Sequence, residues 1–254
     1  MTLSWLSIVR LGLVQMCLGA VVVLMTSTLN RLMVVELSLA ATLPGALVAI
    51  HYLVQISRPK WGFLSDIQGN RTKWIILGMI ILAVGANLAA LCIPLYSFNA
   101  TAATILSFFA YTIIGLGVGA SGTSLLALLA THTIQHRRAA AATITWLMMI
   151  FGIAVTATVV GKLLEPYSVD RLIKIVFGLT VVTVTITFIS TLNIEFGRAS
   201  LIVPSIDNGF SLAKNNLYLI AGPTRLELAT SGVTGRRSNQ LNYDPIKKNN
   251  LFFY

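Results

Sequence analysis

The stretch GFLSDIQGNRTKW, Gly62 to Trp74, is a charged, glycine-containing island with long apolar runs on both sides. Before it stands LSLAATLPGALVAIHYLVQI, Leu37 to Ile56, and after it apolar residues continue from Trp74 to Tyr96. Each run reaches the ~20 residues that a helix needs to cross a hydrocarbon core. Two membrane-length segments joined by a short polar turn predict an all-α integral membrane fold in which the chain crosses, turns and crosses back.

The same pattern repeats outward from that hairpin. Apolar runs span Leu11 to Leu29, Ala102 to Ala130, Ala139 to Gly161 and Ile175 to Leu192. Six transmembrane helices are therefore predicted at 11–29, 37–56, 74–96, 102–130, 139–161 and 175–192, so that residues 1–195 form one six-helix bundle. The fourth run is longer than a crossing needs and should tilt or extend beyond the core. The sixth, IVFGLTVVTVTITFISTL, is rich in β-branched residues, but a lipid-exposed strand would leave its backbone unsatisfied, so helix is expected there too. The first run is too long for a cleaved secretory signal and lacks a small-residue cleavage pattern.

Composition points to the same solvent. The 254 residues are 56% hydrophobic and only 10% charged, with a mean hydropathy of +0.83, well above a soluble domain. A net charge of +10 suggests a nucleic-acid binder only if the cations cluster on one face. Here they sit in short gaps between apolar runs, which excludes nucleic acid as a partner and leaves the lipid bilayer. Cys17 and Cys92 each lie inside an apolar run and read as apolar filling, with no disulfide framework.

Lys and Arg are retained on the cytoplasmic side of a membrane. Threading the chain back and forth places Arg10, Arg58, Lys60, Arg71, Lys73, Arg137, Arg138 and Arg198 on one side. Arg31, Lys162, Arg171 and Lys174 fall on the other, partly balanced by Glu36, Glu165 and Asp170. Both termini are thus expected in the cytoplasm.

In the opening stretch, Gly62 and Gly69 suit points where a tight turn needs positive φ or close passage. Asp66 can accept hydrogen bonds from a neighbouring helix N-terminus or from Arg71, bonds that form and break as helices rock. The alternative is a solvated turn whose cations only set orientation.

These residues carry a resemblance. GFLSDIQGNRTK is similar to the signature loop of the major facilitator superfamily, with Gly62, Leu64, Ser65, Asp66, Gly69 and Arg71 matching and Ile67 and Asn70 standing where the family carries further cations. LNRLMVVELSLAATLPGALVAIHYLV and LLALLATHTIQHRRAAAATITWLMMIFGIAV resemble the PucC-like, bacteriochlorophyll-delivery branch, over roughly residues 8 to 195. That resemblance implies the N-terminal half of a twelve-helix facilitator fold. It also implies a role in light-harvesting complex assembly or chlorophyll handling in the plasma membrane or a photosynthetic one, with light-harvesting or photosystem subunits as partners and chlorophyll or bacteriochlorophyll as cargo rather than a resident cofactor.

Polar groups inside a membrane usually face a cavity or a partner. His51, beside Tyr52 and Gln55, is a candidate axial ligand for a chlorophyll magnesium; the competing reading is a histidine hydrogen-bonded between helices. Asn30, Arg31 and Glu36, between the first two runs, can pair with each other, hold a polar headgroup or act as interfacial anchors. Gln15 and Asn87 are expected to make interhelical hydrogen bonds. GLGVGASGTS, Gly115 to Ser124, lacks the strand–turn–helix setting of a dinucleotide loop. Gly115, Gly119 and Gly122, with Thr123, are instead expected to let helices approach closely. His132 and His136 are four apart but have no carboxylate or thiolate nearby to complete a metal site, so no metal is expected.

No carboxylate pair, nucleophile elbow, zinc signature or phosphate loop stands in a workable context, so no catalytic residues are assigned. Residues 196–220 read as the start of a cytoplasmic interdomain loop. From Ala221 the chain reads AGPTRLELATSGVTGRRSNQLNYDPIKKNNLFFY, a polar disordered tail that resembles a non-native translation running antisense through a transfer-RNA gene. Function narrows to pigment delivery or assembly, to a generic small-molecule transporter, or to an inactive half-transporter. The last follows because a central path normally forms between two six-helix halves, and a homodimer would restore the second half.

Overall fold

The computed structural model describes residues 3–67 and 70–194, which are helical with no strand. Residues 196–220 and 221–254 lie outside the described residues, as do Gly69 and Arg198. Among the described residues, five helices are long and apolar enough to cross a membrane: Trp5–Val35, Arg71–Leu95, Ala100–His132, Gln135–Leu163 and Val169–Thr191. The sixth crossing, second in chain order, is built from two helices in tandem.

The first span consists of α1 (Trp5–Val23), a π-helical turn (Leu24–Leu29) and α2 (Asn30–Val35). Ser4 caps it, its hydroxyl accepting from the Ser7 amide at 3.2 Å. A π turn leaves carbonyls off the regular ladder, which is costly in lipid unless another group donates to them. Tyr111 of the fourth span does so, its buried hydroxyl donating to the Met25 carbonyl at 2.9 Å. Tyr111→Phe is expected to cost about 1–3 kcal/mol, because it orphans a buried carbonyl while keeping the ring. Thermal unfolding in detergent checks this, and an unchanged midpoint would refute it.

The second span departs from expectation at its end. Instead of stopping at Ile56, the chain runs through α3 (Thr42–Val54), a 3₁₀ turn (Gln55–Ser57) and α4 (Arg58–Ile67). Pro59 explains the tightening, since it has no N–H to offer the Gln55 carbonyl; the Arg58 amide takes that carbonyl instead. The helix then continues past the cations that were expected to end it. Gly62 is therefore not a turn residue with positive φ but a helical one facing the fourth span. A Cβ there would sit 3.4 Å from Thr123 Cγ2.

The remaining spans are α5 (Arg71–Leu95), α6 (Ala100–His132), α7 (Arg138–Leu163, entered through the 3₁₀ turn Gln135–Arg137) and α8 (Val169–Thr191). Asn70, Asn99 and Ser168 cap α5, α6 and α8 through bonds to the amides of Lys73, Ala102 and Arg171. At a rise of 1.5 Å per residue, α6 is about 50 Å long, against a hydrocarbon core of about 30 Å. It extends well beyond the core or tilts. In α8 the threonines return their hydroxyls to their own helix: Thr183 donates to the Thr180 carbonyl and Thr191 to that of Thr187. These β-branched residues thus keep a helix whose backbone is paired in lipid, while the buried Thr187 hydroxyl has no hydrogen-bond partner among the described residues.

The first span packs on α7 and α8, α5 packs on α6 and α8, and the second span lies against α6. Lipid gives no hydrophobic drive for helix association, so close backbone approach must supply it. Gly78 and Gly117 supply it between α5 and α6: a Cβ on Gly78 would lie 2.4 Å from the Ser121 amide, and one on Gly117 2.5 Å from that of Leu82. Gly19 and Gly152 do the same between α1 and α7, against the backbone oxygens of Met149 and Met16. The outer surface carries large apolar side chains such as Trp146, Phe151, Phe177 and Phe188, as lipid contact requires. Asn87 bridges α5 to α8 through Thr180 Oγ1 at 2.9 Å, and Gln15 reaches Met149 Sδ on α7. Cys17 and Cys92 are buried and unpaired.

Candidate functional site

The connection between α4 and α5 places Asp66 at the end of one helix and Arg71 at the start of the next. Arg71 grips one carboxylate oxygen twice: Nε lies 3.0 Å and Nη2 2.5 Å from Asp66 Oδ1. Its Nη1 reaches across to the end of α6, donating to the Ala127 carbonyl at 3.3 Å and to Thr131 Oγ1. A rigid guanidinium fork thereby ties three spans together. The arginine side chain is 14% exposed and the aspartate 54%. Solvent therefore reaches the pair from the carboxylate side, where a rocking motion would break it.

Aromatic rings flank this clamp. Trp61 and Trp74 approach with centroids 5.7 Å apart, and Trp61 Nε1 donates to Ser57 Oγ at 3.0 Å. Gly119 leaves room for the Trp61 edge, with a Cβ there 3.4 Å from Cδ1 and Nε1. The first and last helices are fastened at the same end, where Arg10 donates to the Ile189 and Leu192 carbonyls, and the Leu3 amide, just before α1, donates to the His132 carbonyl at the end of α6. Arg137 lies 5.2 Å over the Trp5 ring. Of these residues the sequence reading singled out Asp66 and Arg71 but not Thr131, Ala127 or Trp61. Two tryptophans bracketing the turn, as interfacial aromatics do, were the available signal.

His51 lies one α-helical turn before Gln55, which lies before Arg58, and the three form a chain. Arg58 Nη2 donates to Gln55 Oε1, and Gln55 Nε2 is 2.9 Å from His51 Nε2. Since the Gln55 oxygen is already accepting, its amide nitrogen must donate, which makes His51 Nε2 the acceptor and puts the ring proton on Nδ1. Nδ1 is buried without a partner, the residue is 1% exposed, and its carbonyl is pressed against Gly115 of α6, where a Cβ would lie 2.6 Å away. His51 is thus enclosed within the bundle, with Nε2 occupied. Axial ligation of a magnesium would first have to break the Gln55 bond.

The structure separates the three candidates at the opposite end. Asn30 Oδ1 turns inward to within 3.4 Å of the Tyr111 hydroxyl. Arg31 and Glu36 instead line a cavity of about 250 Å³ with Ser27, Thr28, Glu165 and Tyr167. They do not pair with one another: among the described residues neither side chain makes an ion pair or hydrogen bond. Burial, and then the Glu36 carboxylate, raise the Tyr167 phenol above its ordinary range. Of the packing candidates, Gly115 and Gly119 face α3 and Trp61, while Gly122 meets only Leu18 Cδ1 at 3.9 Å. Among the described residues no cluster of three or more His, Cys, Asp or Glu side chains can hold a metal ion.

Comparison with known proteins places this arrangement. A family model described as "PUCC protein" matches residues 28–228. The chain is 64% identical over 195 residues to a protein named "Bacteriochlorophyll synthase 44.5 kDa chain" from Rhodobacter capsulatus, covering 77% of this chain and 46% of that one. It is 28% identical over 195 residues to "Protein PucC" of the same organism, covering 70% and 41%, and 26% identical to "Protein PucC" of Rhodovulum sulfidophilum, covering 74% and 44%. The chain spans about half the length of the curated relatives it matches. No solved structure matches it.

Proposed function

The chain belongs to the PucC family, and from that premise we propose that it is a membrane protein assisting light-harvesting complex assembly or (bacterio)chlorophyll delivery. The observation that carries this reading is the 64% identity to a relative whose printed name concerns bacteriochlorophyll. The word synthase in that name does not transfer, because no group positioned for acid–base or nucleophilic chemistry emerges from the sequence or the site. The role is handling of a cargo, not its synthesis, with both termini in the cytoplasm. Supporting that orientation, Arg10, Arg58, Lys60, Arg71, Lys73, Arg137 and Arg138 gather at one end of the bundle.

The test is pigment content of the full chain purified from a pigment-making membrane. Bound (bacterio)chlorophyll is expected, and a pigment-free protein that takes up solutes in proteoliposomes would overturn the reading in favour of a general transporter. The Asp66–Arg71 clamp is what favours that second reading, since a breakable charge pair at a helix turn is useful to any alternating-access carrier. His51→Ala, made in the same preparation, is expected to leave pigment content unchanged, because Nε2 is taken by Gln55. Loss of pigment with retained folding would show that the histidine opens to ligate.

A further inference from the structure

At the end of the bundle away from the Asp66–Arg71 clamp, the cavity of about 250 Å³ is lined by one guanidinium, Arg31, and two carboxylates, Glu36 and Glu165, beside the Ser27 and Thr28 hydroxyls and the Tyr167 phenol. Among the described residues none of these six side chains makes a hydrogen bond or an ion pair with another protein group. Arg31, Glu36 and Glu165 are exposed and hydrated, so opposite charges that line one cavity yet stay apart are open to exchanging that water for the groups of a ligand. A simple anion would be drawn to Arg31 and repelled by two carboxylates. A simple cation would meet the reverse.

The pattern fits a molecule carrying both charges. We propose that this cavity binds a zwitterionic aminoalkyl phosphate, of the kind carried by ethanolamine phospholipids, with the phosphodiester on Arg31 and the primary ammonium between Glu36 and Glu165. The guanidinium fork suits a phosphate, and the Ser27 and Thr28 hydroxyls can donate to its remaining oxygens. Carboxylates accept N–H bonds from a primary ammonium, which a quaternary choline group does not have to give. The other walls are apolar, Leu32, Val35, Ala157 and Leu164, and Val35 is 59% exposed on the outer surface, so acyl chains can leave toward the bilayer. Arg171 lines the neighbouring hollow with Lys162 and Glu165, but its Nη1 is committed to the Pro166 carbonyl at 2.8 Å.

The experiment is native mass spectrometry on the delipidated full chain, titrated with phosphatidylethanolamine, phosphatidylcholine and phosphatidylglycerol of identical acyl chains. Wild type is expected to bind the ethanolamine lipid about tenfold more tightly than the other two, the scale of one charge-assisted bond. Glu36→Gln with Glu165→Gln is expected to erase that preference while leaving choline-lipid binding unchanged, and Arg31→Gln to weaken both alike. Equal binding of ethanolamine and choline lipids by wild type, which needs no variant, would overturn the proposal, as would a preference that survives in the double variant. Displacement by soluble glycerophosphoethanolamine would assign recognition to the headgroup alone. Failure to displace would assign it to the lipid with its chains; either outcome keeps the site.

Discussion

Gly117→Ala is expected to destabilise the bundle by about 1–3 kcal/mol, and Gly117→Leu to prevent α5 and α6 from docking at all. The added Cβ would lie 2.5 Å from the Leu82 amide nitrogen, 2.7 Å from the Gly78 carbonyl oxygen and 2.8 Å from Leu82 Cα. All three are backbone atoms, so no side-chain rotation relieves the clash and the helices must separate. In lipid that separation forfeits the dispersion contacts which hold them, with no hydrophobic compensation. Gly178→Ala is the control: nothing lies within 4 Å of its Cβ position, and alanine is the better helix former by about 1 kcal/mol. Thermal unfolding in detergent should therefore lower the midpoint for Gly117→Ala and hold or raise it for Gly178→Ala. Equal midpoints would mean that the close approach contributes nothing to stability.

The contrast between these glycines shows which part of the fold the sequence carries. Crossing segments are legible because hydrocarbon thickness dictates a minimum apolar length, and Leu11 to Leu29 or Ala139 to Gly161 announce themselves. Helix ends are less so. A helix stops where its hydrogen-bond ladder stops, and Arg58 and Lys60 change only the solvent around a helix that persists to Ile67. The glycine seams were partly readable: Gly12 and Gly19, like Gly78 and Gly85, are seven residues apart, two turns along one face. The four-residue spacing of Gly115 and Gly119 drew attention to a different face of α6 from the one that Gly117 presents to α5. In the candidate site, Asp66 and Arg71 could be paired from proximity in the chain, and Gln55 stood one turn from His51. The Tyr111–Met25 bond and the reach of Arg71 to Thr131 join residues 86 and 60 positions apart, distances over which one sequence gives no pairing signal.

Arg71→Gln is expected to loosen one end of three spans together. The native guanidinium places two donors on Asp66 Oδ1 and a third nitrogen on the Ala127 carbonyl and Thr131 hydroxyl, and no neutral amide reaches all of these. Charge-assisted bonds are worth about 1.5–3 kcal/mol, but Asp66 is half exposed, so the pair must be discounted for solvent screening, leaving about 2 kcal/mol for the clamp. Local opening should then accelerate by roughly thirtyfold, read as hydrogen exchange at the start of α5 and the last turn of α6. Arg71→Lys keeps the charge without the fork and should fall between the two. Asp66→Asn retains an acceptor oxygen, so Arg71 stays attached to Ala127 and Thr131 and the effect should be smaller and confined to the α4–α5 connection. Added salt should narrow the gap between wild type and Asp66→Asn, because that contact faces water, while leaving most of the Arg71→Gln defect in place. If Arg71→Gln exchanged at the wild-type rate in α6, the arginine would be a topogenic charge and not a clamp. The breakable joint that the transport reading relies on would then be absent from this turn.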